Sequence, residues 1–412
     1  MHLPSRAVVA AALPLLASLA LLPLSAETAP RPPARASLQN PDFERAVSGH
    51  HWMPAGWDTS RADLPTVFFG RDSFLVHSGK FAVSVANMSN AFPMGHNWNQ
   101  TRLVGPELWG KRATFRVWAR NNGVEGRAYL LIQAYHDTAS RMGVIWNVDH
   151  DEALKRLGIN KIDDPLMDLA WKRTQFSEPL TEWVPREASI VVPHGTNVLF
   201  VRCGLFGTGQ VLFDDASLTF SSAPPAPRAE RGVNLFADPG FEEGALAWDL
   251  SVPPYEGARL DLDSTVAHGG RHSVRLSNFW DGVVETRMGV GQPFPGRALR
   301  GQRVRVSAWL KADSLRTVAY TKIYAHGMKT RVTQSPSSAP VSGNDDWREV
   351  STFLDVPEDA EMVWAHVITL APSEGRVWID DAKFEVSGPA GGATKAVKPA
   401  PAPKPAPKAG SR

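Results

Sequence analysis

Apolar and polar positions alternate with a period of two along much of this chain. Phe115, Val117 and Ala119 point one way, and Arg116, Trp118 and Arg120 the other. The next run sets Leu130, Ile132 and Ala134 against Tyr129, Gln133 and Tyr135. Near residue 200, Leu199, Val201 and Cys203 oppose Phe200 and Arg202. Three later runs have the same form: Val306, Ala308 and Leu310 against Ser307, Trp309 and Lys311; Thr321, Ile323 and Ala325 against Tyr320, Lys322, Tyr324 and His326; Val363, Ala365 and Val367 against Trp364 and His366. Clusters of Gly, Pro, Asn and Asp separate such runs. The pattern predicts an all-β chain built of β-sandwiches, with the aliphatic faces as core.

The later runs echo the earlier ones because the chain is duplicated. Asn40-Pro41-Asp42-Phe43-Glu44 matches Asp238-Pro239-Gly240-Phe241-Glu242. From Trp57 and Trp248 onward the offset is 191. It pairs His77-Ser78-Gly79-Lys80 with His268-Gly269-Gly270-Arg271, Trp118 with Trp309, and Tyr129 with Tyr320. At Trp183 and Trp347 it has fallen to 164, so the first copy carries 27 extra residues; Asp214-Asp215 then matches Asp380-Asp381. The insertion, about 151–176, contains DEALKRL and PLMDLAWKR, which predict helix. The expected order is a first module over 37–220, a Pro-rich linker over 221–232, a second module over 233–387, and a disordered Lys/Pro/Ala tail over 388–412.

Residues 1–26 read as a secretory signal: Arg6, an apolar run from Ala7 to Leu24 broken by Pro14 and Pro23, then Ser25 and Ala26. The mature chain is therefore expected to be secreted or periplasmic, with no membrane span once the signal is removed. Lys and Arg total 44 against 42 acidic residues, for a net charge of +2, which argues against a nucleic-acid partner. One cysteine excludes a disulfide framework and any Cys-based metal site. Cys203 falls on an aliphatic face and reads as core.

The second face of the six runs changes the picture most. It gathers four of the chain's five tyrosines with Trp, Arg, Gln, Lys and His. A solvated face would be Lys, Glu, Ser and Thr. Sugars present C–H patches on ring faces and hydroxyls at the edges, so a site for them needs flat rings beside planar polar groups. The candidate ligand residues are Trp118, Arg120, Tyr129, Gln133, Tyr135 and Arg202 in the first copy. In the second they are Trp309, Lys311, Tyr320, Lys322, Tyr324, His326, Trp364 and His366. Trp52, Trp98 and Trp280 are candidates for a cleft rim, and Trp57, Trp183, Trp248 and Trp347 for core. Burial of the mixed faces under a loop or the other module is the competing explanation. Glu182, Glu187 and Glu285 are carboxylates with no evident pairing, and no G-x-S-x-G, H-E-x-x-H or phosphate-cradling loop occurs. The expected partner is a polysaccharide or oligosaccharide. A structural or protein-docking role at the surface or in the periplasm stays open, as does a hydrolase or lyase using the fold itself.

The N/D-P-x-F-E opening, the following Trp, H-x-G-[KR], the Trp118-type strand, W-x(8)-V-P and the closing F/I-D-D-A resemble tandem carbohydrate-binding modules of the family 4/9 (CenC-like) type. That resemblance implies two galactose-binding-like jelly rolls. It also implies a structural Ca²⁺ held by Glu44, the Lys80 carbonyl and Asp214 in the first copy, and by Glu242, the Arg271 carbonyl and Asp380 in the second. The first copy departs from the second by seven extra residues between Glu44 and Trp57 and by its insertion.

Overall fold

The computed structural model describes residues 37–391 apart from 61–63, 90–94, 137–166, 226–227, 252–258, 279–287 and 370–373. The expected signal peptide, Trp280, residues 151–166 of the insertion and 392–412 of the tail lie outside the described residues. No helix among the described residues is long and apolar enough to cross a membrane.

The first copy contributes β1 (Ala46–Val47), β2 (His50–Pro54), β3 (Asp58–Thr59), β4 (Val67–Asp72), β5 (Ala82–Asn87), β6 (Gly95–Leu103), β7 (Lys111–His136), β8 (Met167–Phe176), β9 (Leu180–Val191) and β10 (Val198–Ser222). The second contributes β11 (Asp249–Ser251), β12 (Arg259–Asp263), β13 (Ser273–Asn278), β14 (Met288–Pro295), β15 (Gln302–Gly327), β16 (Arg331–Gln334), β17 (Val341–Asp355), β18 (Ala360–Thr369) and β19 (Gly375–Pro389).

Each sandwich is one hydrogen-bonded sheet folded over on itself. β7 and β10 each serve both layers. Lys111–Asn121 lies between β9 and the end of β10, with β5 and β4 beyond; the rest of β7 lies between β8 and the start of β10, with β6 and β3 beyond. We call these the outer and the inner layer. The fold-over falls at Gly123, Gly126, Gly207 and Gly209, all at positive φ. A Cβ at Gly126 would stand 2.2 Å from the Phe206 carbonyl oxygen, so β7 and β10 turn together where their paired residues Gly126 and Gly207 lack side chains. β15, β18 and β19 build the second sandwich in the same way, with β16 and β17 at its edges.

The aliphatic faces meet inside, as the alternation requires. Phe115, Val117, Ala119, Leu130, Ile132, Ala134, Leu199, Val201 and Cys203 are fully buried in one cluster. Val306, Ala308, Leu310, Ile323, Val363, Ala365 and Val367 are their counterparts. Each such Val, Leu or Ile contributes about 1.5–3 kcal/mol by leaving water. The chain is thus all-β, two tandem sandwiches.

The expected helical insertion is corrected in its described part. Met167–Phe176 is β8, an edge strand on the inner half of β7. MDLAWKRTQF suits a helix by propensity, but β7 offers a free edge whose backbone groups need partners, and that tertiary demand prevails. Trp98, expected at a rim, is fully buried core, stacked edge-on against Phe69 at 5.2 Å. The linker is laid partly onto the second copy: Ala229 N–H donates to Ala298 O and Gly232 N–H to Val386 O.

Candidate functional site

Alternation had placed fourteen candidate residues on one kind of face, and the fold divides them between two. Trp118, Arg120, Trp309 and Lys311 sit on the outer layers. The remaining ten sit on the inner layers, on the opposite side of each sandwich.

On the outer layer, Trp118 belongs to a lock repeated almost atom for atom in the second copy. The His77 ring stacks on Trp118 at 4.0 Å and 17°, meets Trp183 edge-on, and donates Nδ1–H to Asp215 Oδ2 at 2.6 Å. His268 stacks on Trp309 at 3.9 Å and 15°, meets Trp347 edge-on, and reaches Asp381 Oδ2 at 2.6 Å. Asp215 and Asp381 hold φ of 46° and 43°, a left-handed conformation that Asp tolerates better than most residues. Lys311 pairs with exposed Asp346, and Arg120 is half-buried beside Leu212. Trp118 and Trp309 thus pack against the turn, while Arg120 and Lys311 lie on the outer face.

The same lock takes up the carboxylates expected to hold calcium. Asp214 Oδ2 accepts N–H from His77 (2.8 Å) and Ser78 (3.2 Å), and Oδ1 accepts from Asp215 (2.7 Å). Glu44 Oε1 accepts from Lys80 (2.6 Å) and Phe81 (3.0 Å). Asp380 and Glu242 do the same with His268, Gly269, Asp381, Arg271 and His272. Lys80 and Arg271 thus offer N–H groups to these carboxylates. We read these hydrogen bonds, rather than a cation, as what holds the carboxylates in place. Among the described residues no group of three His, Cys, Asp or Glu is placed to hold a metal. EDTA is expected to leave the melting midpoint unchanged. A rise of about 3 °C with millimolar Ca²⁺ would show a site that binds the folded state.

On the first copy's inner layer, β8 widens the mixed face. Its register puts Gln175 beside Tyr129, Arg173 beside Leu131 and Trp171 beside Gln133. Tyr129 and Tyr135 are 5 % and 6 % exposed. Asn97 donates to the Tyr129 hydroxyl at 2.9 Å, and the Arg173 guanidinium lies over the Tyr129 ring. Arg202 lies over Phe200 at 4.2 Å. Asp168 sits with Tyr135 and Arg202; burial pushes its carboxyl up to about 6, against the pull of Arg202 and the Tyr135 hydroxyl. Burial likewise lowers Arg127 to about 10, with Arg173 adding to the shift.

The second copy's inner face is more open. Tyr320 and His366 are buried, while Lys322, Tyr324, His326 and Trp364 are half-buried. Tyr324 stands at 81° to His366 with centroids 5.0 Å apart, and Trp364 lies 4.4 Å from His366. Trp364 can lie so low because residue 291 is glycine: a Cβ there would stand 2.5 Å from Nε1.

The two mixed faces meet. Trp171 donates Nε1–H to Asp249 at 2.5 Å, and Arg173 pairs with the same carboxylate at 2.8 Å. Gln175 donates to the carbonyls of Leu246 and Trp248, and Arg127 to that of Ala245. His326 Nδ1–H reaches Asp168 O at 2.7 Å. The rings of Trp171 and Trp364 meet at 5.2 Å and 84°. Sequence reasoning missed Trp171, Arg173, Asp168 and Asp249. Three of them lie on the stretch read as helix, although its alternate positions repeat the ring-and-polar composition of the other mixed faces.

No family model matches the chain, so the CenC-like character of its motifs stays a resemblance. A solved structure of the CBM22-1–CBM22-2 tandem domain of Paenibacillus barcinonensis Xyn10C is similar over 82 % of this chain and 94 % of its own, at 13 % identity and TM-score 0.30. The C-terminal family 22 carbohydrate-binding module of Clostridium thermocellum Xyn10B matches 39 % of this chain and 94 % of its own, at 19 % identity and TM-score 0.30. TmCBM61 in complex with β-1,4-galactotriose matches 38 % of this chain and 99 % of its own, at 15 % identity and TM-score 0.28. At such scores none of these transfers a ligand. An uncharacterized HTH-type transcriptional regulator of Bacillus subtilis, YbfP, is 24 % identical over 147 residues, 35 % of this chain and 49 % of that protein. The chain thus matches about half the length of that curated relative.

Proposed function

We propose that this chain is an exported, non-catalytic glycan-binding protein whose second copy offers the sugar-binding face. The half-buried set of Tyr324, Trp364, Lys322 and His326 beside His366 carries this reading: rings at several angles among hydrogen-bonding groups, on a face that stays partly exposed beside the strand β8 packed on it. The apolar run and small residues of 1–26 support export. Of the three carboxylates without evident pairing, Glu182 and Glu187 stand exposed on β9 in the outer layer, away from the mixed faces, and Glu285 lies outside the described residues.

Affinity electrophoresis of the mature protein through xylan, galactan and soluble cellulose derivatives tests the proposal. Retardation by one of these is expected, weakened about tenfold in Tyr324→Ala, the loss of one stacked ring and its polar tip. Phe74→Ser, at an exposed turn residue, is expected to migrate as the parent does. No retardation by any glycan would end the proposal. A purely structural tandem is the second reading, favoured by the closed face of the first copy, and that negative result is its signature.

A further inference from the structure

We infer that the chain carries one glycan site rather than two, and that the first copy supplies a wall of it: Trp171, standing against Trp364 of the second. This rests on the glycan reading above and adds where the site lies and what completes it. The first copy's own face is closed, with Tyr129, Leu131, Tyr135 and Phe200 all at most 6 % exposed. Its strand β8 instead lies along β14, β15 and β18 of the second copy.

There the Trp171 ring meets Trp364 at 84°. Two aromatic planes at right angles make a corner. A pyranose laid on one plane turns its rim to the other, so one face and one edge of the sugar meet apolar carbon. Tyr324 pairs across the strands with Trp364 at 6.4 Å, and His366 packs against both rings. Trp171 is fixed before any ligand arrives, because Asp249 takes its indole N–H and is itself paired with Arg173. A wall set in advance adds no side-chain ordering cost to binding.

Calorimetric titration of the full mature chain tests this, with xylohexaose, β-1,4-galactotriose and an oligomer of whichever polysaccharide retards it as probes. One sugar per chain is expected, with Trp171→Ala about tenfold weaker and Trp171→Phe within about threefold of the parent. Hydrogen exchange, which does not depend on a variant folding, is expected to show slower exchange in Met167–Phe176 when the probe is bound. Two sugars per chain would overturn the inference. So would unchanged or tighter binding by Trp171→Ala while Trp364→Ala binds nothing, or exchange in β8 that the sugar does not alter. If Trp364→Ala and Tyr324→Ala both bind as the parent does, the glycan reading itself falls.

Discussion

Asp249→Ala should lower the melting midpoint by several degrees and turn one thermal transition into two. Asp249 stands on β11 of the second copy and is the one carboxylate that both Trp171 and Arg173 of the first copy reach. Its side chain is 11 % exposed and that of Arg173 is 24 % exposed, so the pair is largely out of water. Removing one partner leaves a guanidinium charge in the junction with nothing to balance it. Such a loss costs about 3–5 kcal/mol for a fully buried pair, and roughly 2–3 kcal/mol here, where water reaches part of Arg173. Asp249→Asn keeps an acceptor for the Trp171 indole and gives up the charge, so an intermediate midpoint is expected. Calorimetry and small-angle scattering check both points. If Asp249→Ala melts as the parent does, in one transition and with an unchanged scattering profile, then Gln175, Arg127 and His326 hold the junction without it.

How far the sequence reaches is clear from particular strands. Aliphatic alternation identified the core side of Leu130–Ala134 and Leu199–Cys203 correctly, because a side chain's side of a strand depends only on parity. Parity does not say which layer a strand joins. Trp118 and Tyr129 lie on the same strand, β7, on either side of the fold-over at Gly123 and Gly126. Their non-aliphatic faces therefore look out from opposite sides of the sandwich. Trp98 differs for another reason: its polar neighbours in GHNWNQT look like a loop, but Asn97 and Asn99 are buried on the mixed side, where Asn97 bonds the Tyr129 hydroxyl, while the indole fills the core. The contact between the two mixed faces had no local signal. Rings beside Arg and Gln can bind a sugar or another protein surface, and the residues that decide it, Ala245–Asp249, are more than a hundred positions from Tyr129.

Asp214→Ala should be the most damaging single change in the first copy's turn, and Asp380→Ala its equal in the second. Asp214 is fully buried and accepts three backbone N–H groups, two of them from the His77–Ser78 turn and one from Asp215. Alanine fills none of these roles. Each N–H left without an acceptor costs about 1–3 kcal/mol, and the turn is wet enough on the His77 side that a total of roughly 3–5 kcal/mol is expected. The damage spreads by a defined route. Without Asp214 the Asp215 backbone has no reason to stay at φ 46°, its carboxylate leaves His77, and His77 leaves the Trp118 face. Quenching of tryptophan fluorescence by the stacked ring should then be lost together with stability. The pH dependence separates charge from hydrogen bonding. Burial pushes the Asp214 carboxyl up to about 6, with the three N–H donors pulling it down and the Asp215 charge adding to the rise. The folded chain therefore holds this proton more tightly than the unfolded chain, and the carboxyl's contribution to stability falls as pH rises from about 4 to 6. Asp214→Asn cannot titrate, so its deficit against the parent should be largest near pH 4 and smaller at pH 7. Denaturant midpoints of both proteins across that range check the sign. A deficit that instead grows toward pH 7 would mean that the three donors outweigh burial and that the carboxylate is held as an anion.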